Sequence, residues 1–165
     1  DAFNQLNLPF FVIGEGQDAK RLKEMAKTNI HFEGWLDNSQ IRSHFARCRA
    51  FIFSGEEDFG ITLLEAQAMG RPVIALGRGG ALETVVPDSQ SWKPETGIDK
   101  SSTSQPTGVF FYEQTPEALI KAIQHFESIE SQFHAYAIST HAQKFDVYVY
   151  KERMKNFIEE KIDKR

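Results

Sequence analysis

The sequence predicts an α/β fold in which a parallel sheet carries helices on both faces. Three observations carry that prediction. Short strand-like runs recur at residues 10–13, 30–32, 50–53, 73–75 and 108–112, and most are apolar throughout, as suits strands covered on both sides. Between them, apolar residues repeat at helical spacing, for example Leu36, Ile41 and Phe45, or Leu119, Ala122, Ile123 and Phe126. Glycine-bearing loops follow several of the runs. Strands alternating with helices pair in parallel through right-handed crossovers.

In chain order, residues 2–7 read as the tail of a helix, with Leu8-Pro9 as connector. The run at 10–13 turns through Gly14-Glu-Gly16 into a charged helix of about residues 18–27. The strand at 30–32 ends in Glu33-Gly-Trp-Leu36, and Asp37-Asn-Ser39 caps a helix reaching about Arg47. The next strand, 50–53, leads into an acidic loop and a helix over 62–69. Gly70 is a left-handed terminator there, and Pro72 cannot continue the helix. After the strand at 73–75, the loop Gly77-Arg-Gly-Gly80 precedes a short helix at about 82–86. Residues 87–107 are rich in Ser, Thr, Gln, Pro and Lys and read as a surface loop, mobile over 100–104. A last strand follows at 108–112, then a helix opened by Thr115 as cap and Pro116 at its first position. The tail from about 130 to 161 reads as helical with a break near Phe145-Asp146. Its final part, within 142–165, places Val149, Met154, Phe157, Ile158 and Ile162 on a face that wants a partner.

Composition bounds the function. The 165 residues suit one domain with a sizeable core, and a net charge of −4 without any basic run gives no sign of nucleic acid as partner. The single cysteine, Cys48, excludes an internal disulfide and fits a reducing compartment. No apolar run approaches the roughly 20 residues that span a bilayer. The chain opens on Asp1 without an initiator methionine, which points to a fragment of something longer.

In open α/β sheets, ligands bind outside the carboxyl ends of the strands. The loops at 14–16, 33–38, 55–61 and 77–80 all fall on that rim. The stretch from Ser54 to Ala75 carries the sharpest signal. Glu57 lies in the acidic loop and Glu65 about one turn into the helix. The unpaired N–H groups of the helix start lie between them, which suits phosphate oxygens, while carboxylates suit hydroxyl groups. A ligand with phosphate in the middle and hydroxyls at both ends is a nucleotide sugar.

Other motifs have rival readings. Gly14-x-Gly16-x-x-Ala19, with Glu33 ending the next strand, matches the dinucleotide fingerprint and would imply a redox enzyme. Its plain alternative is an ordinary strand-to-helix turn. Glu56, Glu57 and Asp58 form a dense anionic group, but the loop has no His to complete a metal site, and acidic loops are commonly just solvated. Gly79 and Gly80 either supply flexibility or let backbone approach a ligand. Trp35 is expected to be partly buried packing, its alternative being a place near a base. The five histidines sit at unrelated positions and Cys48 beside a helix end, so no triad or thiol catalyst is visible.

Taken together, Glu57-x7-Glu65 and the following Ala-x-Ala-x-Gly-x-Pro-Val-Ile-Ala resemble the retaining glycosyltransferases of family 4. The resemblance extends upstream through Val12-Ile-Gly-Glu-Gly and Ile30-His-Phe-Glu-Gly-Trp-Leu. Downstream it includes Gly79-Gly-Ala-Leu-Glu-Thr and Thr107-Gly-Val-Phe-Phe. Gly-Glu-Glu-Asp-Phe-Gly-Ile together with Arg78-Gly-Gly-Ala-Leu-Glu-Thr is most similar to bacterial mannosyltransferases of surface polysaccharide synthesis. The resemblance implies a GT-B architecture, with residues 1–165 as its C-terminal, Rossmann-like, donor-binding domain.

It further implies that Glu57 bonds hydroxyls of the transferred sugar and that Glu65 holds the ribose. Backbone N–H groups of Phe59, Gly60, Ile61 and Thr62 would approach sugar and diphosphate, and Leu36 would border the base. Gly14, Gly16, Gly79 and Gly80 would supply loop contacts. No cofactor or metal is expected. The expected partners are a nucleotide-sugar donor and a glycan or lipid-linked acceptor held by an absent N-terminal domain, with the enzyme cytoplasmic, peripherally at the inner face of the membrane. The sheet would lack its first strand, and with it the Arg and Lys that in this family neutralise the departing diphosphate, so the fragment is expected to be inactive. A sugar-nucleotide epimerase of the same fold, or a redox domain using Gly14 to Ala19, are the alternatives.

Overall fold

The computed structural model describes residues 1–93 and 105–162. The expectation of mobility at 100–104 lies outside them. Five strands alternate with helices in the order α1 (Ala2–Leu6), β1 (Phe10–Ile13), α2 (Ala19–Met25), β2 (Ile30–Gly34), α3 (Asn38–Arg47), β3 (Phe51–Phe53), α4 (Ile61–Ala68), β4 (Val73–Leu76), α5 (Ala81–Thr84) and β5 (Gly108–Phe111). Three helices follow, α6 (Pro116–Ile129), α7 (Ala135–Ala142) and α8 (Val147–Ile162).

Every strand pairing is parallel. Hydrogen bonding divides the strands into a pair, β1-β2, and a triplet, β3-β4-β5. The two groups share helices on both sides. On one side α3 spans them: its His44 ring lies 5.5 Å from Phe11 of β1, and its Phe45 meets Phe51 of β3 edge-on at 5.3 Å. On the other, Phe10 and Ile52 both pack on the cluster around Phe3, Ile74 and Phe126. The edges of β1 and β3 are thus bridged by side chains without being bonded to each other.

The triplet sorts its side chains by parity, as a pleated strand must. Ile74 and Leu76 with Val109 and Phe111 face α1 and α6, whereas Val73 and Ala75 with Phe110 face α3, α4 and α5. Both β4 and β5 are buried at every position. β1 is only half covered, leaving Phe11 49% and Ile13 38% exposed.

Helix ends follow the sequence signals closely. Asp37 accepts from the N–H of Ser39 and Gln40 while the Gln40 side chain accepts from Asp37 N–H, a complete capping box. Thr115 caps α6 with Pro116 at its start. Gly70 takes φ 72° after α4, where a Cβ would lie 2.9 Å from the carbonyl oxygen of Ala135, so glycine lets α7 pack directly on α4.

Two expectations need correction. The tail is not one helix up to Phe145: the chain turns extended at Phe133 and His134, because α7 must leave the α6 axis to reach α4. Trp35 is not partly buried; it is 76% exposed. The apolar face of α8 is exposed as expected, with Met154, Phe157, Ile158 and Ile162 each 40% or more exposed. No helix among the described residues is long and apolar enough to cross a membrane.

Candidate functional site

The loops after β3 and β4 meet. Gly80 N–H donates to the carbonyl oxygen of Glu57 at 2.7 Å. A Cβ on Gly80 would fall 2.3 Å from Phe59 Cα, and one on Gly79 would fall 2.4 Å from the Glu57 oxygen. Glycine is therefore required at both positions for the two loop backbones to touch.

Helix α4 starts without a side-chain cap. Its N-cap residue is Gly60 in the left-handed region at φ 78°, where a Cβ would strike Leu63 Cδ1 at 2.7 Å. Leu63 N–H turns back to Gly60 O at 3.0 Å. The N–H groups of Phe59, Gly60, Ile61 and Thr62 have no acceptor among the described residues. These are the four positions at which the sequence placed phosphate and sugar contacts. Glu57 precedes the run in the loop and Glu65 follows one turn into α4, and both are exposed to solvent. Free amides flanked by two solvated carboxylates can receive phosphate oxygens and hydroxyls together.

Buried polar groups hold this geometry from behind. The fully buried Gln67 donates from Nε2 to the carbonyl oxygens of Leu63 at 3.2 Å and Thr84 at 3.0 Å. His141 of α7 places Nε2 3.1 Å from the same Thr84 oxygen, so that nitrogen carries the proton. Thr84 Oγ1 donates to Gly80 O at 2.9 Å. Burial lowers the His141 pKa; the Thr84 carbonyl acts against that shift and Lys144 adds to it. Phe145 reaches the loop itself, its ring 6.1 Å from Phe59 in an edge-on contact. Sequence reasoning missed Gln67, Thr84 and His141. A usable signal existed for Gln67, an amide four residues after Leu63 on the apolar side of a short helix, but His141 owes its place to a long-range packing that no local pattern announces.

Gly14, Gly16 and Leu36 form a separate group on the rim, at the ends of β1 and β2. Gly14 adopts φ 108° and donates N–H to Gly34 O at 2.7 Å. Leu36 is half-buried beside the exposed Trp35. A Cβ at Gly16 would meet nothing within 4 Å.

A parallel α/β sheet whose rim carries free helix-start amides between two carboxylates can receive a nucleotide-type ligand. The chain matches the family model described as "Glycosyl transferases group 1" over residues 1–127, and it belongs to that family. Its fold is the Rossmann-like, C-terminal half of the GT-B architecture. Among curated relatives, it is 34% identical over 82 residues to a GDP-mannose-dependent alpha-mannosyltransferase of Mycolicibacterium smegmatis, covering 49% of this chain and 22% of that one. It is 29% identical over 98 residues to O-antigen chain mannosyltransferase C of Escherichia coli, covering 55% and 26%. The matches thus span about a quarter of those relatives' length. Among solved structures, HepE of Anabaena in complex with UDP superposes with TM-score 0.69 at 18% identity, over 97% of this chain and 43% of that one. Sucrose-phosphate synthase of Thermosynechococcus elongatus gives 0.66 at 19% identity, over 100% and 49%.

Proposed function

We propose that the chain is the donor-binding domain of a retaining glycosyltransferase that moves mannose from GDP-mannose to a glycan or lipid-linked acceptor in surface polysaccharide synthesis. The observation that carries this reading is the run of unpartnered amides from Phe59 to Thr62 between Glu57 and Glu65. The diphosphate lies on those amides, Glu57 orients the sugar through its hydroxyls, and Glu65 holds the ribose at the far end. Leu36 borders the base, and the glycines of the 14–16 and 77–80 loops approach the ligand through backbone. Catalysis is positioning together with amide dipoles directed at charge developing on the leaving diphosphate. The reaction needs no metal. The name of the GDP-mannose-dependent relative supports GDP-mannose as donor, and on this reading the enzyme works in the cytoplasm at the inner face of the membrane, where lipid-linked acceptors are met.

The test is to incubate the whole protein with labelled GDP-mannose and UDP-sugars and identify the nucleotide released, with and without EDTA. Release of GDP with label moving to acceptor, unaffected by EDTA, is the expected result. Release of UDP alone would overturn the donor assignment, and loss of activity in EDTA would overturn the metal-free chemistry. Tight NAD binding without nucleotide release would replace the reading with a redox one.

A further inference from the structure

Two separate paths of contact run from His141 of α7 to the loop that carries Glu57 and Phe59. The first is a chain of hydrogen bonds. His141 Nε2 donates to Thr84 O at 3.1 Å, Thr84 Oγ1 donates to Gly80 O at 2.9 Å, and Gly80 N–H donates to Glu57 O at 2.7 Å. The second is made of rings. The His141 imidazole meets Phe145 edge-on at 5.6 Å, and Phe145 meets Phe59 edge-on at 6.1 Å. One residue behind the rim thus reaches Glu57 by bonds and Phe59 by packing.

Helix α5 transmits the first path and cannot hold itself in place. It spans only Ala81–Thr84, and an isolated helix shorter than ~12 residues is marginal in water. At its start, Gly80 is pressed against Glu57 and Phe59. At its end, the Thr84 carbonyl oxygen takes two side-chain donors, Gln67 from α4 and His141 from α7. Helix α7 is itself anchored, by Ala135 against Gly70 and by the fully buried Ile138.

Packing alone does not explain an imidazole at this position. His141 Nδ1 is buried with no hydrogen-bond partner, and an unpaired buried acceptor is destabilising. A phenylalanine would set a ring beside Phe145 without that penalty. What the imidazole adds is its one bond, to Thr84.

We propose that His141 is a positioning residue for the Glu57–Phe59 loop, setting Glu57 through Thr84 and Gly80 and setting Phe59 through Phe145. The inference rests on the donor-binding reading above and deepens it. The two paths end on groups with different duties there, Glu57 on the transferred sugar and the Phe59 amide on the diphosphate, so breaking them has separable consequences.

The experiment measures kcat, donor KM and thermal stability for the whole protein and its His141→Phe, His141→Gln and Phe145→Leu variants, and records their backbone amide shifts by NMR. His141→Phe keeps a ring against Phe145 and loses the bond to Thr84; kcat falls about tenfold while donor KM stays within about twofold. His141→Gln carries an amide N–H in place of Nε2–H and recovers most of that loss. Phe145→Leu raises donor KM more than it lowers kcat. A His141→Gln variant as slow as His141→Phe overturns the assignment, since the bond to Thr84 is then not what matters. Losses that track the folded fraction in all three variants also overturn it, because a merely structural residue behaves that way. Unmoved Gly80 and Glu57 amide resonances in His141→Phe overturn it as well. Displaced resonances in a protein whose wild type releases no nucleotide from GDP-mannose or UDP-sugars keep His141 as the loop's support and overturn the donor reading instead.

Discussion

Gly80 donates its N–H to the carbonyl oxygen of Glu57 at 2.7 Å, and its Cα faces Phe59 so closely that a single added methyl group would sit 2.3 Å from Phe59 Cα. That contact joins two loops whose touching residues, Gly80 with Glu57 and Phe59, lie 23 and 21 apart in sequence, and it sets the Glu57 backbone relative to the start of α4. Gly80→Ala must push the loops apart, because the neighbour is backbone and cannot rotate away. We expect a loss of about 1–3 kcal/mol in chemical unfolding together with weakened nucleotide binding. Gly16→Ala, where a Cβ meets nothing within 4 Å, is the control; it stays within about 1 kcal/mol of wild type and tends to stabilise.

Glu57 and Glu65 are solvent-exposed, so their removal leaves the fold intact and isolates their proposed roles on the ligand. Glu57→Ala in the whole enzyme should lower kcat by about 10–100-fold, since a hydrogen bond to a charged group contributes about 1.5–3 kcal/mol. Glu65→Ala should raise the donor's KM more than it lowers kcat. Unchanged thermal stability with an unchanged kcat for Glu57→Ala would remove it from the chemistry.

The legible parts of this site were the local ones. Gly70 and Pro72 bound α4, Asp37 starts α3, and the wholly apolar 73–75 run marks the buried centre of the sheet, all from short-range chemistry. Unpaired amides at the start of α4 followed from helix geometry, while the resemblance supplied Phe59 to Thr62 as the particular residues. What stayed hidden depends on partners distant in the chain. Trp35 reads as partly buried packing because indoles usually find neighbours, yet it is 76% exposed. The separation of β1 from β3 is likewise invisible, because each strand is apolar whether or not the other bonds to it.

His141 gives a pH dependence with a definite sign. Its pKa is lowered in the folded state, chiefly by burial, while the unfolded chain titrates near the ordinary value. Above about pH 6.5 the group is neutral in both states and costs nothing. As pH falls below that value, the unfolded chain takes up the proton first, so stability declines until the folded pKa is passed. Thermal melts at pH 7.5 and 5.5 should differ, and His141→Gln should flatten the difference. A slope that survives in the variant would assign it to another group.

Asp88 acts in the same direction at lower pH. Burial alone would raise its pKa, but bonds from Ser91, His125 and the Gln90 N–H outweigh burial and lower it. Its contribution is therefore present above the ordinary carboxylate range and lost as pH falls through the lowered folded value. Asp88→Asn keeps the shape and removes the charge that His125 Nε2 meets at 2.9 Å. A loss of about 1–3 kcal/mol in urea unfolding at pH 7 is expected, narrowing as the buffer is made acidic.

Backbone amide exchange should distinguish the two strand groups. β4 is bonded on both sides, by β3 and β5, and all its residues are buried. Its amides should open only with global unfolding. In β1, alternate amides bond β2, as Phe10 N–H does through Asn29 O at 2.9 Å, and the intervening ones face the unbonded edge toward β3. Phe11 and Ile13 therefore exchange rapidly although they lie in a strand flanked by apolar packing, and Ile52 of β3 does so for the same reason. Protection of Phe11, Ile13 and Ile52 equal to that of Ile74 would mean that the two edges bond directly in solution and that the sheet is continuous.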